Sequence, residues 1–297
     1  MSTFCLTVHA GYACRHTGAC CSAPWRIPLE RETVPLLRRH GELAEILDRT
    51  HGESDLARHQ DGTCVFFESH GGRLCAIHRV AGEERLPSAC RHFPRVVLTD
   101  PRGSFITLSS FCPTAAALLV EPVPLRIVEA PRSLVPAGTL EGLDATAVLP
   151  PLLRAGLLMD YDGYSAWEHA GVAMLDRDDL EVDEAIDAIA IATSRVQEWT
   201  PGAQPLASHV TRAFRDLAPT VRAARTPRPE RMFAAAHLFA SWAAYQDGGI
   251  AGVVHAVRDA VARLQRGIRT GKSFVDAARA TDLALRHTQQ EFEDAGA

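Results

Sequence analysis

Seven cysteines in the first 112 residues carry the clearest chemical signal of this 297-residue chain. An isolated Cys5 completes the total of eight cysteines, and residues 113–297 contain none. Thiolates are the preferred protein ligands of soft metal ions and of iron–sulfur clusters. Their concentration predicts a metal-binding module at this end of the chain. The seven candidate ligands are Cys14, Cys20, Cys21, Cys64, Cys75, Cys90 and Cys112.

The spacing of these thiols differs from that of an ordinary zinc ribbon. Such ribbons carry paired C-x2-C knuckles, and this chain has no C-x2-C. The neighbouring side chains of Cys20 and Cys21 are expected to diverge, which disfavours their sharing one tetrahedral ion. Iron–sulfur clusters accept four cysteines from scattered positions, so we favour a cluster. A zinc site, buried apolar cysteines and disulfides are the alternatives.

Short elements are predicted to position the thiols. Two hairpins are indicated by turn residues at Gly71-Gly72 and at Asp100-Pro101-Arg102-Gly103. The predicted elements are a loop over 1–30, an amphipathic helix over 32–49, strands over 64–67, 74–77, 95–99 and 104–109, and a short helix over 114–120.

The rest of the chain is predicted to be mainly helical. Residues 121–150 are rich in proline and contain one strand candidate at 125–129, so we expect a linker or packing arm. A 3.6-residue period predicts helices over 151–159, 164–175, 182–199, 205–223, 230–246, 250–266 and 273–293. The expected fold class is α+β, predominantly α. It comprises a small cysteine-rich metal module with short strands over 1–120 and a helical domain over 151–297.

Charge and hydropathy narrow the choice of partners. The net charge of −5 gives no attraction to nucleic acid. No apolar run reaches the roughly 18–20 residues that span a bilayer, and residues 1–10 carry no secretory signal. We therefore expect a cytoplasmic protein with neither a nucleic-acid nor a membrane partner. No G-x-G-x-x-G follows a strand, so a Rossmann-type site is not indicated.

Five sequence phrases surround the candidate ligands. Together they resemble the YkgJ-type cysteine-cluster family of zinc- or iron-chelating domains, and most closely its FliB-like flagellin lysine-N-methylase branch. A fainter resemblance runs through 231–264. The phrases are Cys14…Cys20-Cys21 with Trp25-Arg26-Ile27-Pro28, Asp61-Gly62-Thr63-Cys64-Val65-Phe66, Leu74-Cys75-Ala76-Ile77-His78, Leu86-Pro87-Ser88-Ala89-Cys90-Arg91-His92-Phe93-Pro94-Arg95 and Leu108-Ser109-Ser110-Phe111-Cys112-Pro113-Thr114-Ala115-Ala116.

The resemblance implies a metal–thiolate module, foremost a 4Fe-4S iron–sulfur cluster. For the FliB-like branch it also implies S-adenosylmethionine as methyl donor and a lysine of a protein or peptide as acceptor. The stretch of about 121–200 is shorter here than in that branch. A non-catalytic zinc- or iron-binding module and a redox or maturation accessory protein are the alternative functions.

A lysine methylase must deprotonate the lysine ammonium and align its nitrogen with the methyl sulfur. A cofactor pocket is expected where residues 90–94 and 112–116 meet the C-terminal helices. There an arginine would pair with the cofactor carboxylate and aromatic rings would exclude water. Each candidate also has a purely structural interpretation, as a turn, surface or core residue. The acid–base candidates are Asp61, His78 and His92, with Glu68 as a further helper, and the cofactor-binding candidates are Arg91, Phe93 and Phe111.

Overall fold

The computed structural model describes residues 2–49, 55–68, 75–136, 138, 140–215, 217 and 228–286. The architecture is mixed α+β and predominantly α, with the cysteine-rich part at the N-terminus and a helical C-terminal region, which confirms the predicted fold class. The division at residues 121 and 151 stays a prediction.

A five-stranded mixed sheet forms the base of the N-terminal part. Its order is β4-β1-β3-β2-β5, with β1 parallel to β3 and β2 antiparallel to β3. The predicted hairpin is confirmed, and its register closes with Asp100 opposite Gly103. At Gly103, with φ of 150°, a Cβ atom would lie 2.6 Å from the Ser2 carbonyl oxygen, so only glycine fits there. The strands are β1 Thr3–Leu6, β2 Arg95–Asp100, β3 Gly103–Leu108, β4 Ile127–Glu129 and β5 Leu143–Asp144.

The predicted loop over 1–30 is wrong at its start, because β1 lies inside the sheet between β3 and β4. A strand of four residues carries too short a pattern for recognition, and its partner Ser104 lies far along the chain from Thr3. Short helices follow the thiol-bearing loops, with two 3₁₀ turns at Ala19–Ser22 and Glu83–Arg85. These helices are α1 Thr7–Ala10, α2 Thr33–Leu37, α3 Gly41–Arg49, α4 Ala76–Ala81, α5 Ser88–His92 and α6 Pro113–Leu118.

Two further predictions in this part need correction. The single helix over 32–49 is divided into α2 and α3, with Gly41 beginning the second. The strands over 64–67 and 74–77 are reduced to isolated bridges at Cys64 and Cys75, and Ala76 already begins α4. The predicted turn at 71–72 lies outside the described residues. Phe66 and Ile77 pack into the same apolar cluster. The side chains of a regular hairpin would instead alternate between two faces.

The described residues of the C-terminal part form six longer helices. The periodic segments predicted for this part overlap helices, except that 151–159 is a β-hairpin turning at Gly156, with φ of 75°. Parts of the helices predicted over 205–223 and 273–293, namely 216, 218–223 and 287–293, lie outside the described residues. Residues 151–159 are rich in leucine. A short apolar run of this kind does not distinguish a strand from a helix. The predicted helix over 230–246 ends at Leu238 and resumes as a 3₁₀ turn, Trp242–Tyr245. The elements are β6 Leu152–Arg154, β7 Leu157–Leu158, α7 Tyr161–Asp176, α8 Val182–Gln197, α9 Leu206–Arg215, α10 Arg228–Leu238, α11 Gly249–Arg269 and α12 Phe274–Arg286.

A buried ionic cluster joins the sheet to these helices. The Arg102 guanidinium donates to Asp100 at 2.7 Å and to Glu168 on α7 at 2.5 Å. The Tyr245 hydroxyl donates to the same Asp100 oxygen, Oδ2, at 2.5 Å. Both carboxylates are almost fully buried, so each depends on Arg102 for its compensation. These four residues are called the Arg102 cluster below.

A second buried cluster ties α12 to the segment before Cys112. The Asp282 carboxylate accepts from the Ser109 hydroxyl, from the Phe111 amide at 3.4 Å and from Arg286 Nε at 2.8 Å. His237 Nε2 lies 3.9 Å from the same carboxylate. The C-terminal helices therefore hold the loop that delivers Cys112.

Two buried histidines make the fold acid-sensitive. Burial, reinforced by Arg286, lowers the pKa of His237 to about 4 and that of His9 to about 3. In the unfolded chain both titrate near about 6.5, so below that pH the unfolded state binds more protons. The unfolding free energy therefore has its full value above about pH 6.5 and decreases as the pH falls towards 4.

We expect the unfolding free energy of metal-free, reduced protein to drop by on the order of 3 kcal/mol per buried histidine between about pH 7 and pH 4. Urea titrations across this range would measure the drop, with His237→Gln as the comparison variant. The variant should show a shallower pH dependence. Equal slopes for the variant and the parent would contradict the assignment to His237.

Candidate metal centre

Five thiols lie together on the elements that follow β1, and we call them the five-thiol group. The Cys21 thiol hydrogen-bonds with both Cys20 and Cys75. Cys64 and Cys90 are close enough to Cys20 and Cys75 to interact with them electrostatically. Cys20 and Cys21 occupy the 3₁₀ turn, Cys75 precedes α4 and Cys90 lies within α5. Residues that are far apart in sequence thus converge on one place.

Backbone hydrogen bonds and an apolar core hold this arrangement. The Cys64 amide donates to the Cys21 carbonyl at 2.8 Å, and the Ala76 amide donates to the Phe66 carbonyl at 2.7 Å. Behind the thiols, Phe66 and Ile77 are buried in the same cluster as Leu37 from α2. The thiol positions are therefore fixed by packing on one side and left open on the other.

Cys20 and Cys21 do not diverge as expected, because their Sγ atoms are 3.9 Å apart. In a 3₁₀ turn successive residues rotate by about 120°, whereas in an extended strand they point to opposite faces. Two thiolates on one tetrahedral zinc ion at about 2.3 Å would lie roughly 3.8 Å apart. The adjacent pair can therefore serve as two ligands of a single ion.

The thiols divide into more and less acidic members. Hydrogen bonding from Cys21 lowers the pKa of Cys75 to about 7 and also lowers the pKa of Cys20. The pKa of Cys21 is raised by the same two hydrogen bonds. Burial raises the pKa of Cys64 to about 11 and raises the pKa of Cys90 well above its ordinary value. Cys20 and Cys75 are therefore the thiols that are most readily deprotonated for a metal.

Cys14 and Cys112 form a second pair around Tyr12. The Tyr12 hydroxyl lies 4.0 Å from Cys112 Sγ, and the His16 amide donates to Cys14 Sγ at 3.4 Å. Cys112 is buried at the start of α6 while Cys14 is exposed. Burial raises the pKa of Cys112, and Cys14 raises it further.

A cavity of about 390 Å³ connects the two sets of thiols. Six of the seven candidate cysteines line it, and the seventh, Cys64, belongs to the five-thiol group without lining the cavity. Arg91, Phe93 and His78 also line it, and the His78 ring lies 5.0 Å from that of His16. The six lining cysteines are Cys14, Cys20, Cys21, Cys75, Cys90 and Cys112.

Arg91 presents an unpaired donor beside this cavity. Its Nε atom is buried and has no hydrogen-bond partner among the described residues, while Nη1 donates to the Glu84 carbonyl at 3.5 Å. A buried guanidinium N–H without an acceptor is costly. An anionic ligand in the cavity would satisfy it.

Two of the acid–base candidates, Asp61 and His92, lie outside the cavity lining. Asp61 is exposed and accepts from the Thr63 amide at 2.9 Å, as in an ordinary turn. His92 is buried, with Nδ1 3.0 Å from the Ser88 carbonyl and Nε2 accepting from the Glu141 amide at 3.1 Å. These contacts occupy both of its ring nitrogens, so His92 has a structural role that the sequence does not reveal.

Of the two aromatic candidates, only Phe93 borders the cavity. Phe93 lines the cavity, whereas Phe111 packs its ring 5.1 Å from Trp25 and beneath the Arg279 guanidinium at 5.4 Å. Glu68, the further helper, pairs with Arg79 at 2.6 Å at the surface. His78 is thus the one acid–base candidate of the three that borders the cavity.

Several lining residues are missing from the sequence-based candidates. Tyr12, His16 and Thr17 flank Cys14, and their nearness to that thiol is a signal that could have indicated them. Glu83 and Ser133 also line the cavity. Ser133 comes from the proline-rich arm, and no local pattern marks it.

The donor set fits a soft metal, because five thiols share one side of the structure and thiolates select such ions. Within the described ranges, no three His, Cys, Asp or Glu side chains already stand at the spacing that one ion requires. Closure around a metal therefore needs rotation of thiols that already adjoin one another. Cys20 and Cys21 supply the pair that is already spaced for one ion.

Comparison with known families supports metal binding. Residues 13–113 match the model of a family described as "CxxCxxCC: Putative zinc- or iron-chelating domain", and this segment contains all seven candidate ligands. The match confirms, for this segment, the resemblance to the YkgJ-type cysteine-cluster family. No curated protein and no solved structure matches the chain. Among the described helices, none has both the length and the apolar character needed to cross a bilayer.

Proposed function

We propose that the five-thiol group holds an iron–sulfur cluster of the 4Fe-4S type, and that the adjoining cavity binds S-adenosylmethionine for methylation of a lysine in a protein or peptide. The observation that carries this proposal is a single cavity lined by six cysteines and by an arginine with an unpaired donor. No nucleic-acid or membrane partner is proposed.

The number of thiols and the space beside them support a cluster. A structural zinc site is closed by four ligands and needs no cavity. Here four of the five thiols line a cavity of about 390 Å³, which is room for more than one ion. Four cysteines suffice for a cluster, and Cys20 and Cys75 are the readiest to bind as thiolates. When bound, such a cluster supplies electron-transfer or Lewis-acid chemistry.

A mononuclear zinc or iron site without catalysis is the second candidate. It is favoured by the 3.9 Å separation of the Cys20 and Cys21 sulfurs, which matches one edge of a tetrahedral thiolate site. In this function the metal would stabilise the N-terminal part, which otherwise consists of short elements.

Metal and acid-labile sulfide analysis of anaerobically purified protein separates the two candidates. The cluster predicts brown protein with broad absorption near roughly 400 nm and inorganic sulfide in proportion to iron. Colourless protein with one zinc ion per chain and no sulfide would overturn the cluster and leave the mononuclear site.

The cavity suits a cofactor of moderate size. Ligand pockets commonly enclose about 300–1,000 Å³, and this cavity lies within that range. Arg91 would pair with the cofactor carboxylate, because arginine binds carboxylates through two parallel hydrogen bonds. Phe93 would cover an apolar part of the ligand. His78 would accept the proton of the lysine ammonium, since it borders the same space.

Arg91→Met is expected to weaken S-adenosylmethionine binding by about tenfold or more, which corresponds to losing a charged hydrogen bond of roughly 1.5–3 kcal/mol. Titration calorimetry on metal-replete protein measures this change. Arg85→Met is the matched control, because Arg85 is exposed nearby on the 3₁₀ turn and does not line the cavity. Equal affinities for the two variants would remove Arg91 from the site. No heat at millimolar cofactor would remove the methyl-donor proposal.

A further inference from the structure

The family match contains a pattern that this chain follows incompletely. The family name gives the spacing Cys-x2-Cys-x2-Cys-Cys, and the matched segment of this chain contains Cys14-Arg15-His16-Thr17-Gly18-Ala19-Cys20-Cys21. Three cysteines stand at the required spacing. Thr17 stands where the pattern has its second cysteine.

Thr17 is held at the cavity and is half-buried. It lines the same space as Cys14, Cys20 and Cys21. The backbone on both sides is left-handed, with φ of 52° at His16 and 73° at Gly18. A Cβ atom at Gly18 would lie 2.5 Å from the Phe67 ring, so the turn is packed tightly against its neighbour. The position of Thr17 is therefore set by the fold.

We propose that position 17 is an open ligand position of the metal centre, through which a small molecule in the cavity reaches the metal. This inference rests on the proposed metal centre and is independent of methyl transfer. A neutral hydroxyl is a poor ligand for a soft ion beside thiolates. Metal sites that keep one position free of protein ligands are typically reactive, whereas fully ligated ones are structural. The chain thus has a hydroxyl at the place where the family pattern would close the centre with sulfur.

The other lining residues indicate the class of molecule. Arg91, with its unpaired Nε, and Arg95 both border the cavity. Two guanidinium groups favour an anion. The expected ligand is a small molecule with an anionic donor, a thiolate or a carboxylate, which can bind the metal while its charge faces the arginines.

Thiol protection in Thr17→Cys tests the position directly. Metal-loaded protein is treated with iodoacetamide, and alkylated residues are identified by mass spectrometry before and after chelation. The introduced thiol should be protected while metal is bound and should react once it is removed. Ser22→Cys is the control, because Ser22 is exposed on the same segment and does not line the cavity. Its introduced thiol should react under both conditions.

A second measurement uses the unaltered chain. Cyanide, a small anionic donor, should change the absorption spectrum of metal-loaded wild-type protein and should not change that of Thr17→Cys. In one contradicting result, the native thiols are protected by metal while the introduced thiol at position 17 reacts as fast as that of Ser22→Cys. This result would overturn the open ligand position and leave the metal centre standing. A silent cyanide titration of the loaded wild type would do the same. Native thiols that react freely, with no metal bound, would overturn the metal centre as well.

Discussion

Replacing Cys75 by serine is expected to weaken metal binding by roughly 100-fold or more, because a ligand in the middle of the five-thiol group is lost. Cys75 hydrogen-bonds with Cys21, lines the cavity and has a pKa lowered to about 7. A serine hydroxyl preserves the size of the side chain but is not a soft ligand. Metal content after gel filtration, followed by competition with a chelator, measures the loss.

Cys5→Ser provides the matched control for this experiment. Cys5 is fully buried in β1, where it pairs with Ile106 and Val128, and it does not line the cavity. Burial raises the pKa of its thiol to about 11, so it stays protonated at neutral pH. We expect full metal content in this variant. Equal metal loss in both variants would contradict the division between ligand thiols and a sheet thiol.

Arg102→Met is expected to lower the unfolding free energy by about 3–5 kcal/mol, the usual effect of breaking a buried ion pair from one side. The substitution leaves the Asp100 and Glu168 carboxylates buried without their cation. It also removes a guanidinium that stacks 4.5 Å from the Phe105 ring and 4.4 Å from the Tyr164 ring. Urea or thermal unfolding measures the loss of stability.

Arg258→Met is the control for Arg102→Met. Arg258 pairs with Asp187 at 2.7 Å, but about half of each side chain is exposed, at 50% and 59%. Solvent-exposed pairs contribute about 0–1 kcal/mol, so this variant should resemble the parent. If both variants lose the same stability, the Arg102 cluster is not a special link between sheet and helices. Adding Glu168→Gln to Arg102→Met should restore part of the loss, because one uncompensated charge is removed.

Local signals account for the parts of the fold that could be predicted. The turn sequence at 100–103 was sufficient for the β2–β3 hairpin, since a tight turn and its strands are adjacent in the chain. Long helices such as α8 and α11 follow from periodicity over four or more turns. The strand β1 could not be predicted in this way, because its partner β3 is separated from it by about a third of the chain.

The candidate site shows the same limit. The clustering of cysteines in the sequence was enough to indicate a metal-binding module, and the family match supports it. The grouping of Cys14 with Cys112, apart from the hydrogen-bonded thiols around Cys21, depends on contacts between distant segments. The orientation of His92 towards backbone partners likewise depends on Glu141, in the proline-rich arm. Spacing alone does not contain these contacts.

The placement of β1 determines the order in which this protein can be assembled on the ribosome. Thr3 pairs with Ser104, so at about 5–20 residues per second β1 waits roughly 5–20 seconds after its own synthesis for its parallel neighbour. All five members of the five-thiol group emerge during this interval, whereas Cys112 emerges only after β3. The nascent chain therefore presents the five-thiol group before the strand β3 that completes the pairing of β1 has been made. For the proposed metal centre, this order of synthesis gives the five thiols an interval in which they can meet a metal during translation, before β1 is paired with β3.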